Sequence, residues 1–361
     1  MDRSIILAGL NPSQLTGVEI GPLHRPFVRR VDGEIIYVDY TDRPTLVEKY
    51  RNDPNVNVAE IVDVDAIWGR NTLADAVKHR KVDYIVASHV IEHVPDLVTW
   101  LGELRSILKD SGTVRLAVPD RRFTFDFLRQ ETRLSDVLTA FLCRARLPQT
   151  HEILDHHLNV ASVDCGRAWD GALDLANLKP HRSVSEALRV ARDALEQGTY
   201  YDSHCWVFTP RSFATLFLAL AESGLIDFAC ERFEDTQKYT LEFFVGLRPS
   251  KDKVEIIESW KRVQSMAREL PVDAFEVTER ERREREDIIS AQEKSLNQQA
   301  QALREVSEEL RVTRHQLAEA RVAITHGESA QIRVAEMEHS NSWRVTAPLR
   351  SVVTMARRWS R

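Results

Sequence analysis

The run Ser88-His89-Val90-Ile91-Glu92-His93-Val94-Pro95-Asp96 sets two histidines four residues apart where a strand turns into a helix. An imidazole with a near-neutral pKa is the fitting general base for a hydroxyl, so His89 and His93 are candidates for proton removal. Asp120, with His204, is expected across the same rim as a further candidate. Glu92 and His93 have a second reading that is purely structural, organising the loop and capping the helix that follows. Histidine and glutamate are also metal ligands, and His156 and His157 would add two more. Histidines placed in a separate helical segment need not converge, so the sequence assigns no metal. Asp120-Arg121-Arg122 can hold an anionic group such as a phosphate or uronate, or its arginines can be solvated surface.

A second chemical stretch lies earlier, in Thr16-Gly17-Val18-Glu19-Ile20-Gly21-Pro22-Leu23-His24-Arg25-Pro26. Val18 and Ile20 suit a strand interior, and Gly21 permits a tight turn or a close approach that a side chain would block. An acid followed by glycine at the end of a first strand opens many nucleotide-cofactor sites; an ordinary strand-to-loop corner has the same look. Glu34-Ile35-Ile36-Tyr37-Val38-Asp39 is a second strand, ending in an acid about 20 positions beyond Glu19, the separation of a βαβ unit. Asp39 is thus placed to hold a ribose diol. Asp65 closes an expected third strand, Val56–Val62, where it can meet an adenine amino group or cap the next turn.

The elements that must position these residues alternate. Val82–Ser88 is a nearly continuous apolar run, as a strand buried on both faces requires. Leu97, Trp100, Leu101, Leu104, Ile107 and Leu108 follow the rhythm of a helix packed on a sheet. Thr113–Asp120 is the fifth strand. Ligands gather where parallel strands end, here at Gly21, Asp39, Asp65, Ser88 and Asp120. Residues 121–200 read as a helical lid or substrate insertion, with a capping box at Ser183 and Glu186. A helix over 212–223 and an antiparallel pair near 226–233 and 239–247 complete a seven-stranded sheet.

At 361 residues, with 43% hydrophobic and 29% charged, the chain can bury a sizeable core. The formal net charge of -6 argues against a broad grip on nucleic acid. Four scattered cysteines suggest neither a disulfide framework nor a zinc site and point to a reducing, cytoplasmic setting. Residues 251–288 read as a helical linker. Over 289–327, Ile289, Leu296, Leu303, Leu310, Leu317 and Ile324 recur every seven residues, which predicts a coiled coil ending near Gly327 and hence a homo-oligomer. The tail 341–361 mixes Arg344, Arg350, Arg357, Arg358 and Arg361 with Trp343, Leu349, Val352 and Trp359. Such a segment suits an anionic membrane surface at the inner face, a docking contact with a protein partner, or a frayed terminus.

Glu19-Ile20-Gly21, Asp39, Asp65-Ala66, the Ser88–Val94 run and the strand ending Val118-Pro119-Asp120 together resemble the class I S-adenosylmethionine-dependent methyltransferases. The closest likeness is to a bacterial subgroup associated with surface-polysaccharide and glycosyltransferase genes. The resemblance spans roughly residues 17–249, including Asp202-x-His204-Cys205-Trp206-Val207-Phe208-Thr209-Pro210, within an expected domain of 1–250. The tail Ser342–Arg350 is similar to C-terminal segments of O-antigen glycosyltransferases. The resemblance implies a Rossmann-like seven-stranded α/β fold and S-adenosylmethionine as cofactor. It places Glu19 and Gly21 at the methionine part, Asp39 at the ribose, Asp65 near the adenine and Ser88 facing the methyl group. The motif's second and third glycines are Leu23 and Arg25 here. The implied activity is methylation of a glycan hydroxyl during O-antigen or capsule assembly, with glycosyltransferases as partners. The alternatives are an inactive scaffold recruiting glycosyltransferases, and a methyltransferase for a small metabolite or lipid.

Overall fold

A computed structural model describes residues 3–69, 71–175, 177–268 and 279–359. It divides into two compact units, Met1–Phe275 and Glu276–Arg361.

The first unit is built on a seven-stranded sheet: β1 Thr16–Ile20, β2 Glu34–Asp39, β3 Ala66–Ile67, β4 Val82–Ser88, β5 Leu108–Pro119, β6 Phe228–Glu234 and β7 Glu242–Pro249. Their spatial order is β3-β2-β1-β4-β5-β7-β6. The first five are parallel, and β7 inserts antiparallel between β5 and β6. Successive residues of β4 feed opposite faces, Ile85 and Ala87 one core cluster, Tyr84 and Val86 another. Burial on both sides explains why the strand is apolar almost throughout. The first face is covered by the helices Leu97–Ile107, Pro210–Glu222 and Lys253–Met266, which contribute Trp100, Phe213, Phe217 and Trp260.

Two expectations about the sheet's surroundings are corrected. The third strand is not Val56–Val62: Val58–Glu60 is a 3-10 turn, with Asn57 accepting from Ala59 N at 3.2 Å, and β3 is the two-residue Ala66–Ile67. Asn57 offers its neighbours a local hydrogen bond that competes with a ladder, and Val62 N bonds Leu23 O at 2.9 Å instead. The linker expected from residue 251 also begins later. Helix Lys253–Met266 belongs to the domain, with Trp260 fully buried and its Nε1 donating to Phe228 O at 3.0 Å. Of the rest of that segment, 269–278 lie outside the described residues and 279–288 open the helix Glu279–His339.

The insertion after β5 holds the helices Leu134–Cys143, Thr150–Asn159 and Val184–Gln197, the last opened by the capping box of Ser183 and Glu186. In the second unit a single helix, Glu279–His339, continues past Gly327. One glycine costs a helix about 1 kcal/mol relative to alanine, which 61 residues absorb. Leu296, Leu303, Leu310 and Leu317 are exposed on it. Short helices Asn341–Val345 and Ala347–Trp359 follow, with the Arg350 guanidinium 3.7 Å from the Trp343 ring centre. Among the described residues no helix is long and apolar enough to cross a membrane.

Candidate active site

The carboxyl ends of β1 and β2 make a corner. Gly21 turns the chain at φ +66°, its N–H donating to Val38 O at 2.9 Å. A Cβ here would stand 3.1 Å from Val90 Cγ2, so a side chain would crowd the loop after β4. Glu19 is buried, and its two oxygens accept from Phe27 N at 2.7 Å and Val28 N at 3.0 Å. Burial pushes its pKa up to about 7 against those bonds. Glu19 therefore ties down the loop that frames the expected methionine position. Leu23, in place of a glycine, sits at φ +45°, a left-handed conformation that costs an L-residue energy. Asp39 ends β2, is buried, and accepts at Oδ1 from Tyr40 N at 2.8 Å. Burial pushes its pKa up to about 6, with Lys49 pulling the other way.

The corner fits a ribose and an amino-acid tail. A buried carboxylate with a single backbone bond has acceptor capacity for a diol, and the side-chain-free turn at Gly21 leaves backbone within reach of a ligand. Ser88 ends β4 on the same edge, level with Ala117 of β5.

Two assigned residues are held by arginines, and one of them, Asp65, also lies at the other end of its strand. Asp65 precedes β3 rather than ending it: the register pairs Val38 with Ala66 and Asp39 with Ile67, leaving Ile67 at the ligand edge. Its carboxylate is engaged by Tyr37 N at 2.8 Å and Arg30 Nη2 at 2.9 Å, a brace between strands rather than an adenine contact. Asp120 is fully buried and accepts from Arg122 Nε at 2.9 Å, Arg122 Nη2 at 2.7 Å and Thr236 Oγ1 at 2.7 Å. It latches the end of β5, with its carboxylate taken up by Arg122 and Thr236. Arg122 is buried with it, neither solvated nor offered to an anion.

A polar basin follows β4. His89 adopts φ +52°, and its N–H donates to Ala117 O at 3.0 Å. Its Nδ1 lies 3.6 Å from Glu92 Oε1 and its Nε2 4.0 Å from Glu242 Oε2. His93 Nδ1 is 2.8 Å from Asp202 Oδ1, and its Nε2 is 4.0 Å from Glu92 Oε1. Asp202 also takes Lys49 Nζ at 2.7 Å. The edge of His93 meets His204 with ring centres 4.6 Å apart. His204 Nδ1 lies 2.6 Å from Asp126 Oδ2, and Arg129 clamps the arrangement through Asp126, Asp155 and the His204 carbonyl, at 2.8, 2.8 and 2.9 Å. Burial lowers the pKa of His89; for His93 burial is outweighed by Asp202 and Glu92, and the pKa rises. Burial opposes ionisation of Asp126, yet His204 and Arg129 hold it below the usual carboxylate range.

His204 arrives from more than 100 residues away by a main-chain splice. Cys205 N and Trp206 N both donate to Glu92 O, at 2.6 and 3.1 Å, and Trp206 Nε1 donates to Val94 O at 2.6 Å. The only sequence trace of this was the run Asp202-x-His204-Cys205-Trp206. His156 stands behind His204, accepting from its N–H at Nδ1 at 3.2 Å; burial drives its pKa down to about 2.

With this geometry in hand, residues 7–220 match the model of a family described as "Methyltransferase domain". The chain belongs to that family. This methyltransferase is an enzyme with S-adenosylmethionine as cofactor. No curated protein matches it. Solved structures similar to it include a Rhodobacter sphaeroides protein named for zinc-dependent alcohol dehydrogenases, at 13% identity and TM-score 0.38, covering 68% of this chain and 88% of that one. A SAM-dependent methyltransferase from Aquifex aeolicus gives 11% identity and TM-score 0.31, covering 68% and 88%. The DhpI-SAH complex gives 12% identity and TM-score 0.29, covering 66% and 78%.

Proposed function

We propose that this methyltransferase methylates a glycan hydroxyl during bacterial surface-polysaccharide assembly, O-antigen or capsule. The observation that carries the reading is the imidazole-rich basin after β4, on the same sheet edge as Gly21 and Asp39. Bound S-adenosylmethionine supplies a methyl group on a sulfonium, already activated for displacement. What remains for the protein is to orient the acceptor, exclude water and take one proton. Asp39 would accept the ribose hydroxyls, and the Gly21 turn would receive the amino-acid end. His89, its side chain partly exposed and its Nε2 buried without a hydrogen-bond partner, is the residue to take the acceptor's proton as the acceptor oxygen bonds carbon and the carbon–sulfur bond breaks. His93, pinned by Asp202, borders the same space.

The tail supports the glycan over a small metabolite: Ser342–Arg350 is similar to segments of O-antigen glycosyltransferases, which it would contact, or it would lie on the inner face of the membrane. Exposed Val345, Leu349, Val352, Val353 and Met355 suit either role. The exposed leucines of the long helix would pair with a second copy. Transfer of labelled methyl to isolated polysaccharide tests the reading. Wild type should label it, Asp39→Ala should not, and labelling of lipid extract alone would replace the glycan by a lipid acceptor.

A further inference from the structure

We propose that Glu92, His93 and His204 form a binding site for a divalent transition-metal ion of the manganese-to-zinc class. One ligand atom from each residue lies within 4.8 Å of the other two, the spacing of a set that closes on an ion by small side-chain rotations. Side-chain spacing carries no sign of this convergence, because His204 reaches the basin only through the splice of Cys205 and Trp206 onto Glu92 O.

Two features point to a cation, and a third supports the second. Glu92 is fully buried, and neither of its oxygens has a hydrogen-bond partner. A buried carboxylate without donors is costly unless a cation meets it. Asp126 and Asp202, its charged neighbours, are by contrast each shared with a basic residue, Arg129 and Lys49. Second, both histidines are oriented from behind. His93 Nδ1 faces Asp202 at 2.8 Å and His204 Nδ1 faces Asp126 at 2.6 Å, so each has Nε2 as its remaining nitrogen. A carboxylate behind each imidazole is the arrangement that fixes ring and tautomer in metal sites. Third, the orienting carboxylates are themselves held, Asp126 by Arg129 and Asp202 by Lys49.

The donor set of two imidazoles and one carboxylate favours manganese, iron, cobalt or zinc over magnesium, which prefers oxygen. Three protein ligands leave coordination positions open. Their use rests on the proposed hydroxyl methylation: an acceptor oxygen bound there would lose its proton to His89 more readily.

The test uses the full-length chain, stripped with chelator and titrated calorimetrically with manganese chloride and with zinc chloride. One equivalent should bind. Glu92→Gln should weaken binding at least tenfold, and Asp126→Asn, which removes only an orienting carboxylate, about 10- to 100-fold. Should Glu92→Gln fail to fold by circular dichroism, His93→Gln, whose side chain is 30% exposed, takes its place. Absence of binding by folded wild type, or unchanged binding by the folded ligand variant, overturns the site. A parallel titration with S-adenosylmethionine separates the two claims: metal bound without cofactor leaves this site standing and removes the methyl-transfer reading. Labelling that persists undiminished in chelator leaves the site but removes its part in the reaction.

Discussion

The cofactor corner and the basin after β4 sit on one sheet edge yet are assembled in opposite ways. The corner is local: Glu19, Gly21 and Asp39 fall within 21 consecutive residues, and adjacent parallel strands deliver them. The basin needs His93 from the β4 loop, Asp126 and Arg129 from the insertion and His204 from beyond its last helix. A local site survives disturbance elsewhere in the fold, whereas an assembled one fails wherever its splice is cut.

That contrast predicts the most damaging change. Trp206→Ala removes a fully buried ring and the bond to Val94 O, and should cost about 3–5 kcal/mol by chemical denaturation. It should disorder the basin while leaving cofactor affinity in the surviving folded fraction nearly intact; equal loss of both would dissolve the distinction. His89→Gln should lower kcat by about 10²–10⁴ with cofactor affinity unchanged, read from calorimetry beside turnover. A change in affinity alone would move His89 into the corner.

pH should divide the regions more gently. Asp39 has a pKa raised to about 6, so its carboxylate is ionised above that and protonated below. Cofactor affinity should fall as pH drops through about 6, and Asp39→Asn should be weak and flat across that window. Stability of the free protein runs the other way. The raised pKa values of Asp39, about 6, and Glu19, about 7, contribute stability at acidic pH that is lost as pH rises through them. Denaturation midpoints at pH 5 and pH 8, with and without cofactor, check both signs. The smallest effect is expected at Leu23. Leu23→Gly relieves a φ of +45° but adds freedom to the unfolded chain, so stability should shift by no more than about 1 kcal/mol, with affinity retained.

Legibility followed the same division. β4 was readable as an apolar run buried on both faces, and β1, β2 and the Thr113–Pro119 part of β5 from their β-branched residues between polar breaks; that β5 begins at Leu108, with Lys109, Asp110 and Ser111 exposed, was not. Val56–Val62 misled because its alternation mimics a strand while Asn57 favours a turn. Asp65 was misplaced, and the partners of both Asp65 and Asp120 were hidden, because sequence shows an acid near a strand, not which end of the strand it occupies or whether an arginine already holds it. Arg30 and Arg122 answer that, and only in three dimensions.

By itself, then, the sequence determined the parallel sheet, the Gly21 turn and the acid at Asp39, because strand burial and turn geometry are encoded within a few neighbouring residues. Only the tertiary structure decided that Glu92 would lie buried between His93 and His204. Those contacts depend on two main-chain donors, Cys205 N and Trp206 N, converging on one carbonyl oxygen across more than 100 residues of chain. Backbone bonds of that kind leave no pattern in side-chain type or spacing.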